Sequence, residues 1–295
     1  KGWEFRVDAV PFQNKDWRVG VYFNIAHNEN KITEMPDNYI EENYTFGNGN
    51  YAYRREEGRP MGSFYGYRYK GVYQNKDATY ARDIEGNVMK DISGNAIVMR
   101  NGSYTVAPGD AIYEDVNHDG VINQYDIVYL GNSNPRLTGG AGLNVSYKQF
   151  KLSAIFYGRY GQDVVNATRL NNESMRGIDN QSTAVLRRWR NEGDQTDIPR
   201  ALYGEGYNTL GSDRFVEDAS YLRLKSLSFT YRLPKKAIQR WGFNNIDVYV
   251  TGYNLFTWTK YTGQDPEVKT ENTYARDTAT TPASIQLVAG FNLSF

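Results

Sequence analysis

The chain has no cysteine and only two histidines, His27 and His118, in 295 residues. Disulfides, zinc–thiolate sites and thiol nucleophiles are excluded at once, and two imidazoles leave little for a transition-metal site. Charge of one sign is also missing. Thirty-four Lys plus Arg balance 34 Asp plus Glu, so nothing favours nucleic acid or an anionic membrane surface. No apolar run approaches the roughly 18 residues of a membrane helix, and no signal peptide is visible. There is no Gly-x-Ser-x-Gly elbow, no His-Glu-x-x-His and no phosphate-cradling glycine loop. Carboxylate pairs such as Glu56-Glu57 and Asp265-Pro-Glu267 are too common to imply acid–base chemistry. No enzyme is expected.

What is present in excess is aromatic: 25 Tyr, 13 Phe and 5 Trp, beside 28 Gly. An excess of Tyr over aliphatic residues points to large amphipathic surfaces, such as membrane-interface belts or carbohydrate platforms. The dominant pattern is period two, which belongs to strands with two different faces. Near the end, Ile285, Leu287, Phe291, Leu293 and Phe295 fall on one face, and Gln286, Asn292 and Ser294 on the other. At the start, Trp3, Phe5 and Val7 oppose Glu4, Arg6 and Asp8; then Trp17, Val19, Val21 and Phe23 oppose Arg18 and Asn24. Further strands are expected over 137–147, 150–160, 215–233 and 246–258. The phase of 215–233 changes near Lys225-Ser226, which is the mark of a β-bulge.

The connections alternate in length. Short ones fall at 13–16 and 148–149, with a modest one at 234–245 that has room for a helical turn. Long ones span about 30–136, 161–214 and 259–282. Short turns on one side and long loops on the other are the habit of outer-membrane barrels, whose external loops are the long ones. The strand lengths suit a tilted bilayer crossing. Seven strands whose first descends from the outside satisfy neither the even number nor the chain-end placement of a free-standing barrel. Lys1-Gly2-Trp3 already reads as strand, so the chain is expected to be a piece of something longer: the C-terminal third or so of a larger barrel.

One stretch carries metal-binding spacing. Residues 115–126 place Asp115, Asn117, Asp119, Asn123 and Asp126 at positions 1, 3, 5, 9 and 12 of a loop with Gly120 at position 6. That is the spacing of an EF-hand-type calcium loop, in which the Val121 carbonyl serves at position 7. Position 12 is Asp rather than the usual Glu, which makes bidentate coordination less certain; the alternative is a hydrated Asx-rich turn. The expected role is structural, a calcium bracing the end of the long loop 30–136. Within that loop a tyrosine stripe, Tyr65, Tyr67, Tyr69 and Tyr73, is a candidate ligand surface, with packing inside the loop as the other reading. Residues 182–191 read as a short helix capped at Ser182 or Thr183.

The run Pro108-Gly-Asp-Ala-Ile-Tyr-Glu-Asp-Val-Asn-His-Asp-Gly-Val-Ile-Asn-Gln-Tyr-Asp126, continuing to Gly131-Asn-Ser-Asn-Pro135, resembles the signature of SusC/RagA-type TonB-linked outer-membrane proteins. Three further blocks agree, Glu57 to Tyr67, Ala219 to Pro234 and Gly252 to Glu267, and the terminal Phe295 resembles a barrel-assembly signal. The resemblance implies an all-β fold: the C-terminal portion of a transmembrane antiparallel β-barrel, about seven of about 22 strands, with long extracellular loops. It also implies a plug domain and a TonB-contacting segment, neither of which lies within these residues. It further implies a SusD-like surface lipoprotein as partner, TonB as energy source, glycans, oligosaccharides or peptides as cargo, and the outer membrane of a Bacteroidota-type Gram-negative bacterium as location. The rival is a calcium-braced surface-binding or adhesin β-domain without transport, in which the Trp3/Phe5 and Phe291/Leu293 faces would pack against another sheet.

Overall fold

The computed structural model describes residues 1–36, 49–268, 270–271 and 274–295. Seven strands form one antiparallel sheet in sequence order. They are β1 (Gly2–Gln13), β2 (Trp17–Asn28), β3 (Leu137–Tyr147), β4 (Phe150–Tyr160), β5 (Tyr221–Arg232), β6 (Asn245–Thr259) and β7 (Gln286–Ser294). Register follows the apolar pattern. Phe5 lies opposite Ile25, Val21 opposite Leu143, Leu152 opposite Phe229 and Val250 opposite Ala289. Cross-strand pairs of this kind are the unit of sheet stability, and a one-residue slip would turn the whole apolar row over.

That row stays open. Phe229 is 47% and Phe291 67% exposed, and among the described residues no second sheet covers the face. Its aromatics gather toward the two ends of the strands. Trp17 meets Tyr147 at 4.3 Å and Phe150 meets Tyr231 at 4.9 Å near the short turns. Toward the other end Trp258 packs with Phe256 at 6.1 Å and Phe156 at 6.5 Å. An apolar band between two aromatic girdles is the exterior of a membrane barrel.

The ladder of β5 slips between Leu224 and Ser226 against both neighbours, so Lys225 is the bulged residue that the phase change marked. A helical turn, Lys235–Ile238, does occupy the modest connection. The expectation of one strand over 215–233 needs correction. Val216–Asp218 belongs to a different sheet, and β5 starts only at Tyr221. Between them Ala219 is fully buried and donates its N–H to the Gln162 carbonyl, which turns the chain.

The three long links all lie at one end of the sheet, and they are not loose. Ser63–Gly66 pairs with Val128–Asn132, and Tyr69–Val72 with Ala111–Tyr113. A four-stranded sheet joins Val216–Asp218, Asp163–Asn166, Tyr274–Asp277 and Thr270–Glu271, so it draws on the second and third links together. One apolar core combines Tyr67, Tyr73, Met99 and Ile122 of the first link with Tyr207 and Leu210 of the second. Another joins Tyr51 and Phe64 to Val165, Leu170 and Phe215, with Tyr274 of the third link against it. Almost all buried apolar side chains lie in these links rather than on the seven strands. The core of the molecule is a cap.

Candidate functional site

The loop 115–126 leaves the cap strand Ala111–Tyr113 and re-enters at Val128–Asn132, which leads on to β3. Its side chains fold it from within. Asp115 accepts the Gly120 N–H at 2.8 Å and the Asp119 N–H at 3.2 Å. Asp119 accepts from Val121 at 2.8 Å, and Asn123 from Tyr125 at 2.8 Å. Asp126, fully buried, accepts from Val116 and Asn123, each at 2.8 Å, so the last residue of the loop closes on the second. Gly120 has φ +79°, and a Cβ there would come within 2.9 Å of the Ala81 Cβ; no other residue type meets both conditions cheaply. Ile122 is fully buried and bonds through its N–H to the Arg100 carbonyl at 2.7 Å, which ties the loop to the hairpins before it.

Burial pushes the Asp126 carboxyl above its ordinary pKa, and the nearby Asp115 and Asp119 push the same way. A buried Asp126 with the charges of Asp115 and Asp119 beside it is an electrostatic setting that a divalent cation relieves. Among the described residues no three Asp, Glu, His or Cys side chains form a ligand group by themselves. A calcium here would therefore also draw on the amide oxygens of Asn117 and Asn123 and on the Val121 carbonyl. An all-oxygen set of this kind suits a hard cation and fits the residues present.

The tyrosine stripe is placed differently from a ligand surface. Tyr65 is fully buried, its hydroxyl donating to Glu56 at 2.8 Å with Arg54 stacked 4.6 Å over the ring. Tyr67 and Tyr73 sit in the first cap core, and the half-buried Tyr69 donates to the Asp197 carbonyl at 2.5 Å. Burial raises the Tyr65, Tyr69 and Tyr73 hydroxyls to about 12. These rings are packing. The expected helix at 182–191 is a 3-10 turn, Thr183–Arg187, capped by Ser182, and Trp189 beyond it packs over Gly109.

Sequence reasoning missed the ion networks, whose partners, apart from the i,i+4 pair Arg169–Glu173, stand 41 to 90 residues apart. Glu173 pairs with Arg214 at 2.9 Å, and Arg169 bridges Glu173 at 3.2 Å to Glu217 at 2.7 Å. Arg200 reaches the fully buried Asp110 at 2.7 Å. On the face of β5 opposite the apolar row, the buried Arg223 holds Asp265 at 2.5 Å and Glu267 at 2.9 Å, which fastens the third link to the sheet wall. Such long separations leave no local signal.

No family model matches the chain. It is 32% identical over 279 residues to TonB-dependent receptor P3 of Formosa agariphila, covering 92% of this chain and 25% of the receptor. It is 27% identical over 303 residues to TonB-dependent receptor SusC of Bacteroides thetaiotaomicron, covering 100% of this chain and 26% of that one. Among solved structures, the RagAB peptide transporter superposes with a TM-score of 0.73 at 27% identity, over 100% of this chain and 29% of the other. The chain is a SusC/RagA-like portion of a TonB-dependent transporter. It spans about a quarter of the length of the curated relatives it matches. The seven-stranded sheet is accordingly an arc of the C-terminal part of a transmembrane β-barrel, with the apolar row on its outer face and Arg223 on its inner face.

Proposed function

We propose that this chain forms part of an outer-membrane importer of the TonB-dependent kind, taking up oligosaccharides or peptides together with a SusD-like surface lipoprotein. The observation that carries the reading is the placement of all three long links at one end of the lipid-facing strands, fused through shared cores. A rigid cap on the outer side gives a lipoprotein lid a defined surface to close on, while short turns leave the other side free for TonB-driven work. RagAB, to which the chain is similar, is a peptide transporter, and among the described residues nothing in the cap favours peptide over sugar. Deletion of the full-length receptor should abolish energy-dependent uptake of labelled oligosaccharides or of labelled peptides. Unchanged uptake of both, or release of the receptor by carbonate wash without detergent, would favour the adhesin reading.

Calcium belongs to this proposal as a structural ion. Asp115, Asn117, Asp119, Asn123 and Asp126, with the Val121 carbonyl, would hold it, and the ion would neutralise the carboxylates that crowd the loop. An ion that binds only the folded cap at 100 times its Kd adds about 2.7 kcal/mol. Chelation of the purified receptor is therefore expected to lower the melting temperature of the cap and to open 79–126 to protease, with Asp119→Asn showing the same pattern without chelator. Identical digestion with and without chelator would remove calcium from the account.

A further inference from the structure

The lipid-facing wall is not filled evenly. Toward the long links, β3 turns Gly139 and Ala141 outward between Leu137 and Leu143; Gly139 lies opposite Gly158 of β4, and Ala141 opposite Phe156, which with Leu137 also lines the hollow. Larger side chains stand on either side: Phe23 and Ile25 of β2, and Leu222 and Trp258 of β5 and β6. Between them runs an apolar groove of about 740 Å³, within the size of a ligand site. At the rim stand Lys260 and Asp218. Asp218 is engaged by the N–H and hydroxyl of Ser220; Lys260 is exposed and enters no ion pair among the described residues.

The neighbouring outward positions Leu143, Leu152, Phe229 and Val250 are large, so the hollow is local. A gap in an apolar wall forfeits the dispersion contacts its lining would make, and a flexible hydrocarbon chain laid in it restores them. A cation at the mouth, beside the aromatic girdle, complements a phosphate at the depth of lipid head groups. We propose that this groove takes one acyl chain of a phosphate-bearing outer-leaflet lipid, lying over Gly139, Ala141 and Gly158, with its phosphate at Lys260. The inference rests on the reading of the long links as external.

The test uses the full-length receptor in mild detergent, with retained lipid phosphate counted by native mass spectrometry after washing. Wild type should keep a phosphate-bearing lipid. Ala141→Phe, which fills the groove, and Lys260→Glu, which reverses the rim charge, should each lower its retention about tenfold. Ala289→Phe, on the same face of β7 but outside the groove, should not. Equal retention in Ala141→Phe, equal loss in Ala289→Phe, or recovery of a lipoprotein's acyl anchor instead of the phosphate-bearing lipid would overturn the site. If Ala141→Phe fails to insert, Lys260→Glu decides, since it lies beyond the end of β6. Release of the receptor by carbonate alone would instead overturn the barrel setting.

Discussion

Replacing Phe64 by alanine is expected to loosen all three long links at once, at a cost of about 3–5 kcal/mol. Phe64 is fully buried. It meets Tyr51 edge-on at 6.2 Å within the first link and Tyr274 of the third at 5.5 Å, and shares a core with Val165, Leu170 and Phe215. Truncation removes the ring that these three chain segments use in common, and the surrounding backbone is held by short strands that cannot collapse into the space. Limited proteolysis of the full-length receptor should show new cuts in all three links, with the seven strands still protected. Cuts confined to residues 49–66 would mean that the links fold independently.

The second large effect is expected at Arg214. Its side chain is 7% exposed against 8% for Glu173, and its guanidinium also lies 4.9 Å over the Phe215 ring. Arg214→Ala leaves Glu173 in the interior with Arg169 as its remaining partner. Removing one member of a buried pair costs about 3–5 kcal/mol, mostly through the uncompensated charge left behind. Glu173→Gln in the Arg214→Ala background should recover part of the loss, because it removes that charge. If the double variant is no more stable than the single one, the penalty is one of packing and the electrostatic account fails. The network also has a defined pH response. Burial raises the Glu217 pKa, but the Thr262 N–H, Arg169 and the Thr262 hydroxyl outweigh it, so the folded value lies below the ordinary one. Its contribution is complete above the ordinary glutamate value and is lost as pH falls through the folded one.

The barrel strands were legible because their chemistry is periodic. Trp3 to Val7 and Trp17 to Phe23 alternate because the two faces of each strand meet different surroundings, and the bulge at Lys225 appears as a break in that phase. The cap was not legible. Its strands are two to five residues long, too short for a period, and its partners come from distant positions, as with Asp110 and Arg200. The tyrosines show the limit best. A stripe of amphipathic rings reads equally as ligand platform or as filler, and only the arrival of Asp197 and Tyr207 from another link decides for filler. The loop 115–126 lies between these cases. Its fold is local and could be read from spacing, including Gly120 at the turn, whereas its attachment through Ile122 to Arg100 could not.

The central claim is that the seven strands cross a membrane with the long links outside and the short turns within. This segment has no native cysteine, so single cysteines can be placed in a cysteine-free parent receptor and labelled in intact cells with a membrane-impermeant maleimide. Ile92→Cys, at a fully exposed tip of the cap, should label at once. Lys15→Cys, in the short turn between β1 and β2, should label only after the outer membrane is opened. Labelling of Lys15→Cys in intact cells, or silence of Ile92→Cys until the membrane is opened, would contradict the account.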